Sequence, residues 1–182
     1  MGVSTNLLGD IIAIPNIGLE FQMPYNMSLS VNGLFTKWNL LARDKNTLVY
    51  GFSPELRYWL RGAMGRGLFF GLHGDFLWYT LKWTNGHLYQ NIDNAHPAWS
   101  VGLTNGYSIF LDRKKNFTMT FFLSLGYGQY RQDEAEWDNS KQKWVSILSN
   151  EQKNEIHQYI GATKVGICLN YTIPFQIKKK VN

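Results

Sequence analysis

The chain has 182 residues, a length that suits one domain, and its composition of 45% hydrophobic and 15% aromatic residues excludes a mainly disordered protein. No stretch approaches the roughly 18 consecutive apolar residues that a membrane-spanning helix needs, so a membrane protein with this sequence must be a β-barrel. The net charge of +5 comes from scattered Lys and Arg residues with one dense run, Lys178-Lys179-Lys180, which predicts a solvated or membrane-proximal tail and no nucleic-acid binding.

The cysteine count excludes two kinds of site, and the first residues of the chain bear on secretion. Cys168 is the single cysteine, which excludes an internal disulfide and a cysteine-based zinc site. The start, Met1-Gly2-Val3, has no basic and apolar leader. Because an outer-membrane barrel needs a secretory signal, Met1 is interpreted as a start codon added to a mature chain.

The N-terminal region is predicted to be extended. Residues 3–14 form a first extended segment, and Pro15-Asn16 breaks or bends it before residues 17–23, where odd positions are apolar and even positions polar. The sequence leaves open whether this region is one bent strand or two. A tight turn follows at residues 24–26.

The central region carries the clearest alternation. Residues 27–38 alternate and lead into a polar loop over 39–46. In residues 50–61 every even position is apolar or aromatic, which predicts a strand with one apolar face. A short turn over 62–67 joins this strand to the longest alternating run, residues 68–83.

The C-terminal half repeats the pattern. A polar loop over 84–96 precedes a strand over 98–111, and a short turn over 112–116 leads into a strand over 117–130. Residues 131–155 are long, charged and poor in pattern, which indicates a loop. The last predicted strand covers residues 157–175, giving about eight strands if the N-terminal region counts as two.

Short and long connections alternate along the chain. Turns fall near residues 25, 64 and 114, and loops near 43, 90 and 143. Short periplasmic turns and longer extracellular loops are typical of outer-membrane barrels. The sequence therefore predicts an all-β fold: one domain over residues 1–182, forming an eight-stranded antiparallel up-and-down transmembrane β-barrel with a polar, plugged lumen and both termini on the periplasmic side.

The two strand faces differ in content. One carries charged residues among many Gly and Ser residues, which suits the narrow interior of an eight-stranded barrel better than a water-covered surface. The other is aromatic near the strand ends and aliphatic between, as girdles at two membrane interfaces would require. A soluble ligand-carrying barrel is the alternative, because it also alternates. The predicted lipid-facing residues are Phe52, Leu56, Tyr58, Phe70, Leu72, Phe76, Trp78, Val101, Leu103, Phe121, Leu123, Ile167 and Leu169.

The polar face predicts a charged network inside the barrel. A Lys or Arg on the lipid face near mid-bilayer would cost about 2 to 4 kcal/mol, so the charged side chains must point inward and pair with one another. With a regular turn at 62–67, residues whose numbers sum to 128 face each other, which sets Glu55 opposite His73. Ser53 then lies opposite Asp75. The predicted lumen network is Glu20, Glu55, Arg57, His73, Asp75 and Lys164, with Asp10 as a further candidate and no aqueous channel.

Four stretches carry a resemblance to a known family: Thr5-Asn-Leu-Leu-Gly-Asp10, Pro15-Asn-Ile-Gly-Leu-Glu20, Glu55-Leu-Arg-Tyr-Trp59 and Gly161-Ala-Thr-Lys-Val165. They resemble, in order along nearly the whole chain, an uncharacterised outer-membrane barrel family of Bacteroidota, catalogued as a domain of unknown function. More distantly, the chain resembles small barrels of the OmpA and OmpX type. The resemblance implies a Gram-negative outer membrane and an eight-stranded barrel, and it brings no established catalytic residues.

Catalytic and metal chemistry have weaker support. His87, His96 and His157 fall in or beside predicted extracellular loops, where a rim enzyme would need a nucleophile and a base in contact. The acidic residues of the loop over 131–155 have irregular spacing for a calcium site and are interpreted as a solvated loop. His73, Asp75 and Glu55 could orient a catalytic nucleophile, but Ser53 is the one obvious candidate beside them. They are therefore interpreted as hydrogen-bonded polar side chains that fill the lumen. No catalytic residue, metal site or cofactor is predicted.

The sequence thus favours a non-enzymatic outer-membrane barrel. We expect this barrel to contact outer-membrane lipid and to act as a structural or anchoring subunit. Its loops or outer wall are then expected to bind an outer-membrane or surface protein. A rim enzyme acting on lipid A or peptide is the second hypothesis, and a soluble ligand-binding barrel is the third.

Overall fold

The structure is a computed structural model that describes residues 1–38, 47–61, 64–82, 87–91, 96–138, 140–141, 143–149, 152 and 155–173. The predicted loop over 39–46, the end of the last predicted strand at 174–175 and the basic run at 178–180 lie outside these residues.

Eleven strands and one short helix make up the described part of the chain. No helix in it is long and apolar enough to cross a membrane. The elements are β1 Gly2–Asn6, α1 Leu7–Ile11, β2 Asn16–Met23, β3 Met27–Trp38, β4 Thr47–Trp59, β5 Gly67–Lys82, β6 His87–Gln90, β7 Ala98–Phe110, β8 Phe117–Tyr130, β9 Asp133–Asp138, β10 Lys143–Ser146 and β11 His157–Thr172.

Eight of the strands close an antiparallel barrel in the order β1-β2-β3-β4-β5-β7-β8-β11, with β11 pairing back to β1. The predicted eight-stranded up-and-down barrel is therefore confirmed. The register between β4 and β5 follows the predicted sum of 128, because Glu55 pairs with His73 and Arg57 with Gly71. Period-two alternation along every strand then sends one face into the lumen and the other outward.

The N-terminal region forms two strands, and the prediction of an extended segment over 3–14 is wrong beyond Asn6. The Asn6 side chain caps α1 by accepting a hydrogen bond from the Leu8 amide at 3.1 Å. The Asn16 side chain ends the β1–β2 ladder, since its amide oxygen accepts from the Asn6 N–H at 2.6 Å and its nitrogen donates to the Asn6 carbonyl at 3.0 Å. A side-chain amide thus replaces a strand partner, and alternation cannot reveal it.

The barrel has two unlike ends. The short-turn end carries the turns at 24–26 and 111–116 and the described residues 60–61 and 64–66, and Tyr25, Asn26 and Lys115 adopt positive φ there. At the long-loop end lie the 7–15 connection and the strand ends at Trp38, Thr47, Lys82, Ala98, Tyr130 and His157.

Three short strands extend the sheet at the long-loop end. β6 pairs with β5 at residues 80–82, β9 pairs with β6, and β10 pairs with β9. The predicted loops over 84–96 and 131–155 are therefore wrong in part, since they contain these strands. Each strand has only four to six residues, so period-two alternation had too little length to show them, and the β6–β9 pair joins two connections far apart in sequence.

Candidate functional site: the barrel lumen and its lateral opening

The lumen holds most of the buried polar side chains of the described chain. All six residues of the predicted network face inward, from β2, β4, β5 and β11, and Glu55 and His73 are each only 1% exposed. The largest fully buried side chains include Trp59 and Phe69, which fill the short-turn end of the lumen with ring centroids 4.8 Å apart.

A continuous chain of ion pairs crosses the lumen. Arg57 binds both oxygens of Glu55, with Nε–Oε1 at 3.0 Å and Nη2–Oε2 at 3.3 Å, and its Nη1 lies 3.1 Å from Glu20 Oε2. Lys164 Nζ lies 3.1 Å from Glu55 Oε2 and donates to Ser53 Oγ at 2.8 Å. Each charge is paired, as burial requires.

Further contacts fix this chain of charges in place. Glu20 accepts a hydrogen bond from Ser28 Oγ, which in turn accepts one from Trp59 Nε1 at 2.8 Å. The Arg57 guanidinium lies 4.8 Å from the centroid of the Phe69 ring, a cation–π distance. Trp59 shares the odd-numbered, inward face of β4 with Glu55 and Arg57, but nothing in the sequence indicated its hydrogen bond to Ser28.

A second polar group surrounds His73. Its Nδ1 lies 3.0 Å from Thr104 Oγ1, and its Nε2 lies 3.0 Å from Thr163 Oγ1 and 3.3 Å from Asp75 Oδ2. In a Ser-His-Asp triad the carboxylate and the nucleophile occupy opposite ring nitrogens. Here Thr104 and Asp75 do lie on opposite nitrogens, but Thr163 shares Nε2 with Asp75, and Thr104 is only 2% exposed. The hydroxyl in the position of a triad nucleophile is therefore not accessible to a substrate.

A β-bulge in β11 joins the two polar groups. The pairing of β11 with β8 shifts between Ala162 and Lys164, and Thr163 and Lys164 both reach the lumen as a result. Thr163 was not among the predicted site residues. The signal available in the sequence was a break in alternation, since the apolar face runs through even residue 160 before the bulge and odd residue 165 after it.

Asp10 does not join the lumen network, and that candidate is wrong. It is exposed at the end of α1, where its carboxylate accepts hydrogen bonds from Thr5 Oγ1 at 2.7 Å and Asn16 Nδ2 at 3.2 Å. The helical turn at Leu7–Ile11 carries Asp10 away from the strand alternation on which its inclusion depended.

Beyond the charged plug, the lumen widens into a chamber of about 1000 Å³ towards the long-loop end. The predicted charged cluster lies in the short-turn half, whereas the prediction was of a lumen plugged without this chamber. Inward positions here carry Leu34, Leu77 and Leu81 in place of charges, with Tyr159 beside them. These apolar residues on the otherwise polar face were the signal that could have revealed it.

The barrel wall has a lateral opening beside this chamber. β1 pairs with β11 only from Gly2 to Asn6, so the edge of β11 over residues 157–167 has no partner strand among the described residues. On the other side, β3 continues past its last pairing with β2 at Leu34. We call this gap between β11 and β3 the lateral opening, with the 7–15 connection forming its sill.

The outer wall is apolar over the barrel strands. All thirteen predicted lipid-facing residues lie on it, exposed or half-buried, and Leu103 is 68% exposed. Aromatic pairs stand towards both ends of the strands. Near the long-loop end Tyr50 stacks on Trp78 with ring centroids 5.3 Å apart. At the short-turn end the ring centroids of Phe117 and Tyr171 are 4.9 Å apart.

The candidate residues of the long connections do not form a centre. The acidic residues Asp133, Glu134, Glu136 and Asp138 lie along β9, and the described residues hold no group of three His, Cys, Asp or Glu side chains suited to a metal. Hydrogen bonds from Ser140 hold the pKa of Asp138 below its usual value. His157 begins β11 and stacks on Tyr130, His87 begins β6, and His96 lies between β6 and β7.

Comparison with known proteins yields a family without an activity. No curated protein and no solved structure matches the chain. One family model matches residues 1–173, which is nearly the whole chain. The chain therefore belongs to the family described as "Protein of unknown function (DUF3575)".

Proposed function

We propose that this protein is a non-enzymatic β-barrel of a Gram-negative outer membrane, acting as a structural or anchoring subunit that binds a partner protein through its loops or outer wall. One observation carries the proposal: the barrel is polar inside and apolar outside. Glu55, Arg57 and His73 are buried, whereas Leu72 and Leu103 are more than half exposed.

This inversion suits a bilayer and not water. A soluble barrel gains its stability by burying apolar side chains, whereas a continuous exposed apolar surface favours aggregation or a membrane. Hydrocarbon also demands internal pairing of backbone groups, which the strand ladders supply around the barrel except along the β11 edge at the lateral opening. The aromatic pairs towards both strand ends fit the two interfaces of a membrane.

Partner binding is supported by the sheet at the long-loop end. β6, β9 and β10 extend from β5 as an ordered platform, and the outer edge of β10 has no partner strand within the described ranges. Trp137 on this platform is 42% exposed, and Ile147 just after it is 48% exposed. Exposed aromatic and aliphatic groups beside an open strand edge are typical of protein interfaces.

The absence of enzymatic activity is supported by the surroundings of His73. Thr104 is 2% exposed and Asp75 competes with Thr163 for one imidazole nitrogen. A nucleophile needs access to substrate and a base free to take its proton. This arrangement suits a hydrogen-bond network that fixes the lumen.

Two measurements test the proposal. In a heat-modifiability gel, the protein folded in lipid vesicles should migrate differently from the boiled protein, and identical migration with no vesicle insertion would refute the membrane assignment. A pull-down from detergent-solubilised outer membranes should recover a second protein, and recovery of only free monomer would count against anchoring. An altered lipid A acyl profile in cells with the protein would favour the rim enzyme instead.

A further inference from the structure

The chamber at the long-loop end of the lumen is built for an apolar occupant. Its walls include Leu34, Leu77 and Leu81, and its volume of about 1000 Å³ is at the upper end of the range for small-molecule sites. Asn32, Ser100 and Gln129 also line the chamber, but apolar atoms form most of its exposed wall, so a hydrocarbon chain makes more favourable contacts there than water does. The chamber lies inside a barrel whose other half is filled with charge pairs.

The floor of the chamber offers no unpaired charge to a ligand. Lys164 is paired with Glu55, and Asp75 accepts a hydrogen bond from Ser100 Oγ at 2.7 Å and lies 3.3 Å from His73 Nε2. Arg57, which also reaches the floor, is held by two carboxylates. A charged head group would therefore find no free counter-ion at the bottom, whereas an alkyl chain needs none.

The lateral opening connects this chamber with the outer wall. Leu8 and Ile14 of the sill, Leu34 of β3 and Val165 of β11 all line the chamber, so both edges and the sill of the opening belong to its wall. Residues 7–10 and Pro15 form part of the sill, and residues 161–165 lie on the edge of β11 that faces the opening.

The sill lies part-way up the strands. β1 ends at Asn6, opposite Cys168, while β11 continues for eleven further residues towards the long-loop end, from 167 back to 157. Ile11 on the sill is 79% exposed, and Ile160 on the free length of β11 is 87% exposed. The opening therefore begins within the apolar band of the outer wall.

We propose that the chamber binds one alkyl chain of a membrane amphiphile, which passes through the lateral opening and leaves its polar head outside. At the opening, the N–H groups on the unpaired edge of β11 can donate hydrogen bonds to oxygens of the head group, and its C=O groups can accept from head-group hydroxyls or water. Hydrocarbon alone could satisfy neither kind of backbone group. The inference rests on the proposed membrane location.

The test uses two probes with the same chain and different heads: hexadecanoic acid and a lysophosphatidylcholine with one hexadecanoyl chain. The full-length protein, folded in detergent micelles, is titrated with each and examined by native mass spectrometry. We expect one bound molecule per barrel for both probes. No saturable binding to the folded barrel would overturn the proposal, and binding of the fatty acid alone would overturn the placement of the head outside.

Adjacent residues of β11 provide a matched pair of variants. Gly161 pairs with Gly126 and lies between Tyr159 and Thr163, which both line the chamber. A Cβ at 161 would meet no atom within 4 Å, so the indole of Gly161→Trp should occupy part of the chamber without displacing its walls. Displacing a few methylene groups of the chain should weaken binding of both probes by at least about tenfold. Ala162→Trp, on the exposed outer face, should bind as the wild type does. Unchanged binding by Gly161→Trp would overturn the proposal; Leu77→Trp carries the same expectation if Gly161→Trp does not fold.

A photoactivatable hexadecanoic acid with a diazirine near the chain end distinguishes an alkyl chain bound in the chamber from lipid that surrounds the barrel. It should label peptides that contain Leu77, Leu81 and Tyr159, which line the chamber. Labelling confined to outer-wall residues such as Leu103 would show surrounding lipid only and overturn the proposal. Vesicle insertion is measured in parallel, since its failure would refute the membrane assignment, whereas insertion without chain binding would refute this inference alone.

Discussion

Thr163 and Lys164 are consecutive in β11, yet both reach the lumen: Thr163 Oγ1 lies 3.0 Å from His73 Nε2 and Lys164 Nζ lies 3.1 Å from Glu55 Oε2. The β-bulge between Ala162 and Lys164 makes this possible, because it lets two neighbouring side chains share one face. One strand thereby ties the His73 group to the ion-pair chain.

The inside and outside assignment predicts opposite tolerance at two positions of β4. Leu56→Arg places a charge on the outer wall and should cost about 2 to 4 kcal/mol of folding free energy in a bilayer. Ser53→Thr keeps the hydroxyl that accepts from Lys164 and should be mild. Urea titrations of both variants in lipid vesicles measure the difference, and equal stability would contradict the assignment.

Removal of Arg57 should expose the cost of an unpaired buried charge. Arg57→Met leaves Glu20 and Glu55 without their shared partner, so we expect a loss of about 3 to 5 kcal/mol in the free energy of unfolding. Adding Glu20→Gln to the same variant should restore much of it, because Glu55 keeps its ion pair with Lys164 and the unpaired carboxylate of Glu20 is then gone. A double variant no more stable than Arg57→Met alone would argue against charge desolvation as the cause.

Two glycines that pair across β8 and β11 should respond differently to alanine. A Cβ at Gly126 would overlap the carbonyl oxygen of Val101 and lie 2.6 Å from Gly102 Cα, so Gly126→Ala must move the β7 backbone. We expect a destabilisation of about 1 to 3 kcal/mol. Gly161→Ala is the control, since its Cβ meets open space. Unfolding midpoints in denaturant compare the two, and equal midpoints would show that β7 relaxes freely.

The Asn16 side chain should control the sill of the lateral opening. Asn16→Ala removes the partner of the Asn6 N–H and C=O groups and the hydrogen bond to Asp10, and leaving such groups unpaired costs about 1 to 3 kcal/mol. Amide hydrogen exchange should therefore accelerate over residues 5–15 and not in β8. Asn32→Ala, which removes a bond to Ser30 Oγ at 3.3 Å and leaves the Asn6 backbone groups paired, serves as the control.

Alternation in the sequence was sufficient to predict the barrel strands, their inward and outward faces and the β4–β5 register, because a strand's period of two depends on local geometry alone. It also identified the inward charges Glu20, Glu55, Arg57 and Lys164, because they share a strand face with many Gly and Ser residues. Which of these charges pair was not local information, since Arg57 and Glu20 are 37 residues apart and meet only when β2, β3 and β4 pair.

Tertiary structure alone decided the features that break the strand pattern. The bulge at Thr163, the Asn16 clip that shortens β1 and the pairing of β6 with β9 each depend on a contact with another strand, which the alternation within one strand does not encode. The chamber and the lateral opening follow from them, because a shortened β1 leaves part of β11 uncovered. Sequence by itself determined which face of each strand is apolar; packing around the closed ring decided where the wall is complete and where the lumen is left unfilled.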